Sequence, residues 1–266
     1  MTTIVNLTRA ELRKLVLARS YLIALVASAG LAVTVVITLA LAAGKNGAPA
    51  LATTAGADSL LKVGFIAFVA MLVLGILAAG GEYRYKTIIP AMLITPRRGT
   101  LVAAKVIAVA IGGVVLSSVT FGVGLATAVA ELSSHGIGSL PSATVSMLAG
   151  TVIAGILAGV IGVALGYITR SPVVAAIGAV GWVLFVEQTI LSTVAPQQVK
   201  WLISGTAQVL TTPVAHGSPP LPAATATAVL SAYTLVLLAA AARLVLRRDV
   251  ACPAPVSGGA PHRRRR

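Results

Sequence analysis

The chain has 266 residues, of which 58% are hydrophobic and only 10% are charged. A soluble domain usually has about 25% charged residues, and a single soluble core cannot bury this much apolar surface. The composition therefore excludes a soluble enzyme, and it also excludes a mainly disordered chain, which would be poor in apolar residues. The formal net charge of +14 could indicate nucleic-acid binding. The positions of the basic residues along the chain test this alternative.

Six long apolar runs lie along the chain, at residues 21–43, 60–80, 106–130, 144–168, 173–194 and 223–242. A helix of about 20 residues crosses a hydrocarbon core of about 30 Å, and each run has that length. The runs are continuously apolar and do not alternate, which indicates helices rather than barrel strands. The sequence therefore predicts an all-α membrane protein with six transmembrane helices.

The basic residues predict the orientation of these spans. Most of them precede the first run, lie between runs two and three, or follow the sixth run, and the opposite side has only Lys45, Lys62 and Lys200. Because Lys and Arg stay in the cytoplasm, both termini are expected there. The positive charge is thus interpreted as a topology signal and not as a nucleic-acid surface. Residues 40–42 resemble a signal-peptide cleavage site, but the preceding apolar stretch exceeds the ~7–15 residues of such signals.

The predicted organisation is a single membrane domain with two flanking segments. Residues 1–20 are predicted to form a cytoplasmic N-terminal interfacial helix, and residues 21–242 the six-helix transmembrane domain. Residues 243–266 are rich in Pro, Gly and Arg, and we expect a basic, disordered cytoplasmic tail near anionic headgroups.

Catalytic and cofactor motifs are missing from the sequence. No Lys has the spacing of a nucleotide-binding phosphate loop, since Gly44-Lys45 is followed by Asn46. The three His residues fall on both predicted faces of the membrane, so they cannot share a metal ion. The six acidic residues are dispersed. We therefore expect a chain that is not an enzyme and binds no cofactor itself, which leaves solute passage, scaffolding or coupling to a partner.

The loop between spans two and three, residues 80–105, combines charged and apolar residues. Ile88, Ile89, Met92 and Leu93 fall on one helical face, and Pro90 is compatible with a first helical turn. Pro96 ends the helix, because a residue before Pro avoids the helical region. The pattern predicts a short amphipathic helix on the cytoplasmic surface, which lies on headgroups or docks a soluble partner.

The order of motifs in this loop resembles the type-2 ABC transporter permease family. The matching stretches are Gly81-Glu82-Tyr83-Arg84, Thr87-Ile88, Thr95-Pro96-Arg97-Arg98 and Ala104-Lys105. Lys86 and Pro90 depart from the family pattern. The N-terminal stretch 11–15, followed by Arg19-Ser20-Tyr21, is similar to the interfacial helix that opens these permeases. Thr8 and Glu11 also fit a capping box.

The resemblance implies the permease subunit of a bacterial ABC exporter in the cytoplasmic membrane. Such a subunit pairs with a separate ABC ATPase, which binds ATP and Mg²⁺, and with a second permease copy or homologue. Exported substrates in this family include drugs, antibiotics, peptides and lipid-linked sugars. The resemblance predicts an ATPase-coupling interface at Glu82, Tyr83, Arg84, Lys86, Thr87, Ile88 and Met92.

The resemblance also implies that spans two and five line the substrate path. The residues predicted to line the path are Phe65, Phe68, Met71, Phe185, Glu187 and Gln188. An acid within a span usually faces a cavity or a partner. Glu187 could therefore line a cavity and handle protons, or it could be a satisfied carboxylate near the outer boundary.

Span four has a stripe of small residues, Gly155, Gly159, Gly162 and Gly166, which covers about 60° of the helix surface. Such a stripe lets helices approach closely, either inside the subunit or at a dimer seam. Two other functions remain open beside the exporter. One is an ion-coupled secondary transporter that uses Glu187, and the other is a non-transporting membrane scaffold or accessory protein.

Overall fold

The computed structural model describes residues 2–45, 48–85, 98–137, 144–212 and 221–247, and within these ranges the regular structure is entirely helical. The first part of the chain contains α1 (Thr2–Leu17), α2 (Arg19–Ala42), α3 (Thr54–Ser59), α4 (Gly64–Arg84), α5 (Arg98–Ser134) and α6 (Thr144–Thr169). The second part contains α7 (Pro172–Gly181), a π-helix (Trp182–Leu191), α8 (Ser192–Val194), α9 (Pro196–Val199), α10 (Ile203–Thr211) and α11 (Ala223–Arg247).

Six helical segments in the described ranges are long and apolar enough to cross a membrane, which confirms the six predicted spans. They are Arg19–Ala42, Thr54–Arg84, Gly99–Ser134, Thr144–Thr169, Pro172–Val194 and Ala223–Val245. The third is longer than the apolar run at residues 106–130. Helix α5 has 37 residues, which corresponds to about 55 Å and exceeds the hydrocarbon thickness of about 30 Å. The architecture is that of a multi-pass membrane protein.

Helices α4 and α6 form the centre of the bundle because glycines let their backbones touch. A side chain at Gly162 would overlap the carbonyl oxygen of Leu72, and one at Gly75 would overlap the carbonyl oxygen of Gly159. The windows of these two spans are 61% buried, against 17–22% for α2, the α7–π-helix span and α11. The hydrophobic effect does not drive helix association inside lipid, so close packing of the two backbones holds α4 and α6 together instead.

All four glycines of the predicted stripe contact other helices of the same chain. A Cβ at Gly155 would overlap the hydroxyl of Ser117 on α5. A Cβ at Gly159 would lie 2.7 Å from Val109 Cγ1 and 2.9 Å from Met71 Cε, and one at Gly166 would lie 2.8 Å from the backbone nitrogen of Gly80. The stripe therefore packs α6 against both α4 and α5 within one subunit.

Helix α2 is attached to α5 by two polar contacts. The Tyr21 hydroxyl donates to the carbonyl oxygen of Gly112 at 2.9 Å, and the hydroxyls of Ser28 and Thr120 lie 2.9 Å apart. Both contacts are buried, where a polar group without a hydrogen bond is costly, and the Ser28 hydroxyl also lies 3.1 Å from the carbonyl oxygen of Leu25. They align the first span along the third.

The two ends of the bundle differ in charge. The end that we call the basic end holds α1, the last turn of α4, the first turns of α5, the turn between α6 and α7, and the last turn of α11. Described basic residues gather there, among them Arg9, Arg13, Lys14, Arg19, Arg84, Lys105, Arg170, Arg243 and Arg247. The opposite end holds α3 and α10, and its described Lys and Arg residues are Lys45, Lys62 and Lys200.

The contact between α4 and α6 leads to a first prediction. Gly162→Ala is expected to lower the thermal unfolding midpoint of the detergent-solubilised protein, because the new methyl group forces the two backbones apart at a cost of about 1–3 kcal/mol. Gly30→Ala is the matched control, since no heavy atom lies within 4 Å of its Cβ position. Gly159→Ala should fall between them, because the Met71 side chain can move. Equal midpoints for Gly162→Ala and Gly30→Ala would disprove the contact.

Candidate functional site

A buried lysine at the basic end connects three helices. Lys105 of α5 is 4% exposed, and its Nζ donates to Glu11 Oε2 of α1 at 2.5 Å and to Glu82 Oε1 of α4 at 2.7 Å. A buried ammonium is tolerated only when carboxylates compensate its charge and accept its hydrogens. The three side chains therefore hold the N-terminal helix to the end of span two and the start of span three. We call Glu11, Glu82 and Lys105 the ion network.

Glu11 has a second partner on its own helix. Lys14 lies one turn later, is 61% exposed, and donates to Glu11 Oε1 at 2.5 Å. Burial acts to raise the pKa of the Glu11 carboxyl, but the opposing charges and hydrogen bonds of Lys105 and Lys14 outweigh it and lower that pKa. Glu11 is consequently ionised at neutral pH and can pair with Lys105.

Glu82 points into the subunit. Its side chain is 12% exposed, its Oε1 accepts from Lys105, and its Oε2 is buried with no hydrogen-bond partner among the described residues. The sequence placed Glu82 in the predicted ATPase interface, and that contact stays a prediction. In this conformation the carboxylate is bonded inside the subunit, so its effect on a partner would pass through α1 and α5.

The neighbouring residues of the predicted coupling interface divide into two groups. The ring of Tyr83 packs edge-on against Tyr167 of α6 at 6.3 Å between centroids, and the guanidinium of Arg170 lies 5.6 Å from the Tyr83 ring centre. Arg84 is exposed at the end of α4. The other four residues, Lys86, Thr87, Ile88 and Met92, lie outside the described residues.

A cavity of about 410 Å³ adjoins the ion network, and we call it the basic-end cavity. Pockets that bind small molecules have volumes of about 300–1,000 Å³, so it could hold a small ligand or part of a larger one. It lies between α1, α4 and α5. Its polar lining includes Glu11, Lys14, Glu82 and Lys105, and its apolar lining includes Leu15, Leu74, Leu77 and Val109.

The residues predicted for the substrate path do not meet in one place. Phe68 and Met71 have no exposed surface and pack inside the subunit, and Phe65 stacks on Phe68 with 5.5 Å between centroids. Phe185, by contrast, is 69% exposed on the outer surface of the fifth span. Gln188 is half-buried, and its Nε2 has no hydrogen-bond partner. Phe68 and Met71, which were predicted to line the substrate path, thus lie in the core of the subunit.

Glu187 is a buried carboxylate at the opposite end of the bundle. It is 1% exposed, its Oε1 accepts from the indole N–H of Trp182 at 2.6 Å, and its Oε2 accepts from the backbone N–H of Ser204 at 2.6 Å. Ser204 lies in the first turn of α10, where Leu202 provides no side-chain cap. The carboxylate therefore caps α10, and the positive end of that helix stabilises its charge.

The π-helix explains how Glu187 reaches Trp182. With 3.6 residues per turn, an α-helix would place residues five apart on different faces. A π-helix instead pairs residues at i and i+5, and this segment has π geometry from Trp182 to Leu191. The unusual winding thus brings an indole donor to the carboxylate. Of the two possibilities left open for Glu187, this geometry matches a satisfied carboxylate.

Sequence reasoning missed several members of these sites. Lys105 appeared only as part of a family motif, and nothing in the sequence paired it with Glu11, which lies 94 positions away. Trp182 and Ser204 were not singled out either. A signal did exist for Lys105, because a lone lysine close to an apolar run requires a nearby acid.

Comparisons with known proteins add no family assignment: no protein-family model matches the chain, and no curated protein matches it. The part of the chain that the structure describes also has no group of three or more His, Cys, Asp or Glu side chains placed to hold a metal ion. Three features of the described residues therefore bear on function: the ion network, the basic-end cavity and the Glu187 cap.

The ion network predicts a dependence of stability on pH. Because the pKa of Glu11 in the folded protein is lowered from 4.5, its contribution to stability is present above that value and is lost as the pH falls through the lowered pKa. We expect Glu11→Gln to lower the thermal midpoint at pH 7, and the difference from wild type to shrink below about pH 4. Glu131→Gln, at the opposite end, is the control. A difference that is constant with pH would contradict this role for Glu11.

The Glu187 cap predicts a second loss of stability. Glu187→Gln replaces one of the two acceptor oxygens with a donor, so one buried N–H loses its partner at a cost of about 1–3 kcal/mol. The thermal midpoint should fall, and in combination with Trp182→Phe the losses should be less than additive. Strict additivity would show that the indole and the carboxylate do not interact.

Proposed function

We propose that this chain is the membrane-spanning permease subunit of an ATP-driven exporter of the type-2 ABC kind. In this proposal a separate ATPase subunit binds ATP and Mg²⁺ and docks at the basic end, which faces the cytoplasm because Lys and Arg concentrate there. The membrane is the bacterial cytoplasmic membrane, and a second permease copy or homologue completes the complex. The order of motifs from Gly81 to Lys105 supports the proposal.

The observation that carries the proposal is the ion network. An exporter driven by a partner needs a rigid connection between the elements that the partner pushes and the spans that move. Lys105 bonds both Glu11 of the N-terminal helix and Glu82 at the end of span two. Movement applied to α1, or to the segment that follows α4, would therefore reach both elements and α5 together.

ATP binding must favour one arrangement of the spans over another, because a ligand shifts only those states that it binds differently. In our proposal closure of the ATPase pushes α1 and the segment that follows α4, and the ion network passes this push to α4 and α5. The glycine contacts between α4 and α6 give this pair a close-packed interface with few alternative positions. Such an interface responds by shifting as a unit.

The exposed surface of span five is the proposed site of the second copy. Only 17% of that span's window is buried, and its exposed side chains include Val174, Ile177, Phe185 and Ile190. The substrate path would then form between two subunits rather than within one, which agrees with the burial of Phe68 and Met71 inside the single chain. The apolar lining favours amphipathic substrates.

The ion-coupled carrier is the less favoured function. It would require Glu187 to exchange a proton or cation with the path. Both Glu187 oxygens already accept N–H groups, one of them from the backbone at the start of α10. Their loss would uncap that helix, so a structural role accounts for this acid better. No feature of the described residues specifically favours the scaffold function.

The test of the proposed function is coupling to an ATPase. We expect the chain to co-purify with an ATP-hydrolysing subunit, such as one encoded beside its gene. We expect Glu82→Ala to lower permease-dependent ATP hydrolysis several-fold, because the bond between α4 and Lys105 is lost. Glu131→Gln should leave it unchanged, and both variants must insert and assemble normally. A purified chain that moves solute without any ATPase, or full coupling in Glu82→Ala, would refute the proposal.

A further inference from the structure

The basic-end cavity has an unsatisfied acceptor in its lining. Glu82 Oε2 is buried and has no hydrogen-bond partner within the described ranges of the chain, whereas Glu82 Oε1 and both oxygens of Glu11 are bonded to lysines. A buried carboxylate oxygen without a donor is costly, and such groups normally have a partner. Glu82 lines the cavity with a side chain that is 12% exposed, so a partner that enters there reaches the Oε2 atom once the carboxylate rotates toward it.

The charges around the cavity indicate what kind of partner fits. The buried part contains two carboxylates, Glu11 and Glu82, and one ammonium, Lys105, so it has a net negative charge. The second ammonium, Lys14, is 61% exposed and lies at the rim. An occupant with a cationic N–H donor for the interior and an anionic group for the rim would complement both.

The rest of the lining is apolar. Leu74, Leu77, Ala78 and Val109 cover the wall between α4 and α5, and Leu77 is partly exposed on the outside of the bundle. The cavity lies beside the last turns of α4, so in a bilayer that α4 crosses it would lie near the boundary between headgroups and hydrocarbon. A molecule that fills it must therefore carry its charged groups at one end and hydrocarbon at the other.

We propose that the basic-end cavity binds a phospholipid with a primary ammonium headgroup, of the phosphatidylethanolamine class. The Glu82 carboxylate rotates toward the cavity and its Oε2 accepts from the ammonium, the phosphate pairs with Lys14, and an acyl chain follows Leu74 and Leu77. Only an ammonium that bears N–H groups can satisfy the oxygen, so a choline headgroup cannot replace it. The bound lipid joins α1 to α4 beside Lys105. The proposal does not depend on the exporter function, since it requires only that the chain lies in a membrane.

The test compares lipids that differ only in their headgroup. The purified full-length chain is delipidated in detergent and then supplied with phosphatidylethanolamine, phosphatidylcholine or phosphatidylglycerol of identical acyl chains. Native mass spectrometry counts the retained lipid, and thermal unfolding measures stabilisation. One hydrogen bond to a charged group corresponds to about a tenfold preference for the ethanolamine lipid over the choline lipid. We expect that preference, together with a higher midpoint in the ethanolamine lipid.

Two variants locate the site. Glu82→Gln keeps an acceptor for Lys105 but loses the charge, and Leu77→Trp fills the cavity without changing any charged group. Both should abolish the preference for phosphatidylethanolamine. Leu41→Trp is the control, because Leu41 is also exposed but lies on α2 away from the cavity lining. Equal retention of the three lipids, a preference for phosphatidylglycerol, or a preference that survives in Leu77→Trp would overturn the proposal.

Discussion

The position of Lys105 constrains the whole basic end. An ammonium that is 4% exposed would lose several kcal/mol of hydration free energy if it had no anionic partners. Its two carboxylate partners come from different helices, at sequence separations of 94 and 23 residues. The charge on one side chain therefore fixes three separate segments relative to one another. Leu15 also packs α1 into the core beside Gly112, and the basic-end cavity lies between α1, α4 and α5 next to these contacts.

The ion network depends in turn on the packing of α4 against α6. Gly166 approaches the backbone nitrogen of Gly80, only two residues before Glu82. A side chain at Gly166 would push the end of α4 away from α6, one at Gly80 would press on Pro172 of α7, and either would change the position of the Glu82 carboxylate. Further along, Gly75 and Gly162 bring the same two backbones into contact. The glycines inside the bundle thus determine where the Glu82 carboxylate lies at the basic end. The ion network therefore depends on the packing of α4 against α6.

The sequence was sufficient for the six spans, because their length and apolar composition leave no other arrangement in a bilayer. It was not sufficient for the full length of α5. Lys105 interrupts the apolar run, and only its distant partners show why a helix can continue through a buried charge. The glycine stripe of α6 was visible from its spacing, but spacing cannot tell which helices it meets. The π-helix was not visible in the sequence, because the bonds that Glu187 makes to Trp182 and to the start of α10 are seen only in the folded chain.

The two ends of the bundle use buried carboxylates in different ways. Glu187 is stabilised by neutral N–H donors that are 5 and 17 residues away, so its bonds hold together one local unit made of the π-helix and α10. Glu11 and Glu82 are stabilised by an ammonium that belongs to neither of their helices. The bonds of Glu187 stay within one local unit, whereas the ion network joins three helices that are far apart in the sequence. Under the proposed function, it is therefore the ion network, and not the Glu187 cap, that receives the movement of the ATPase.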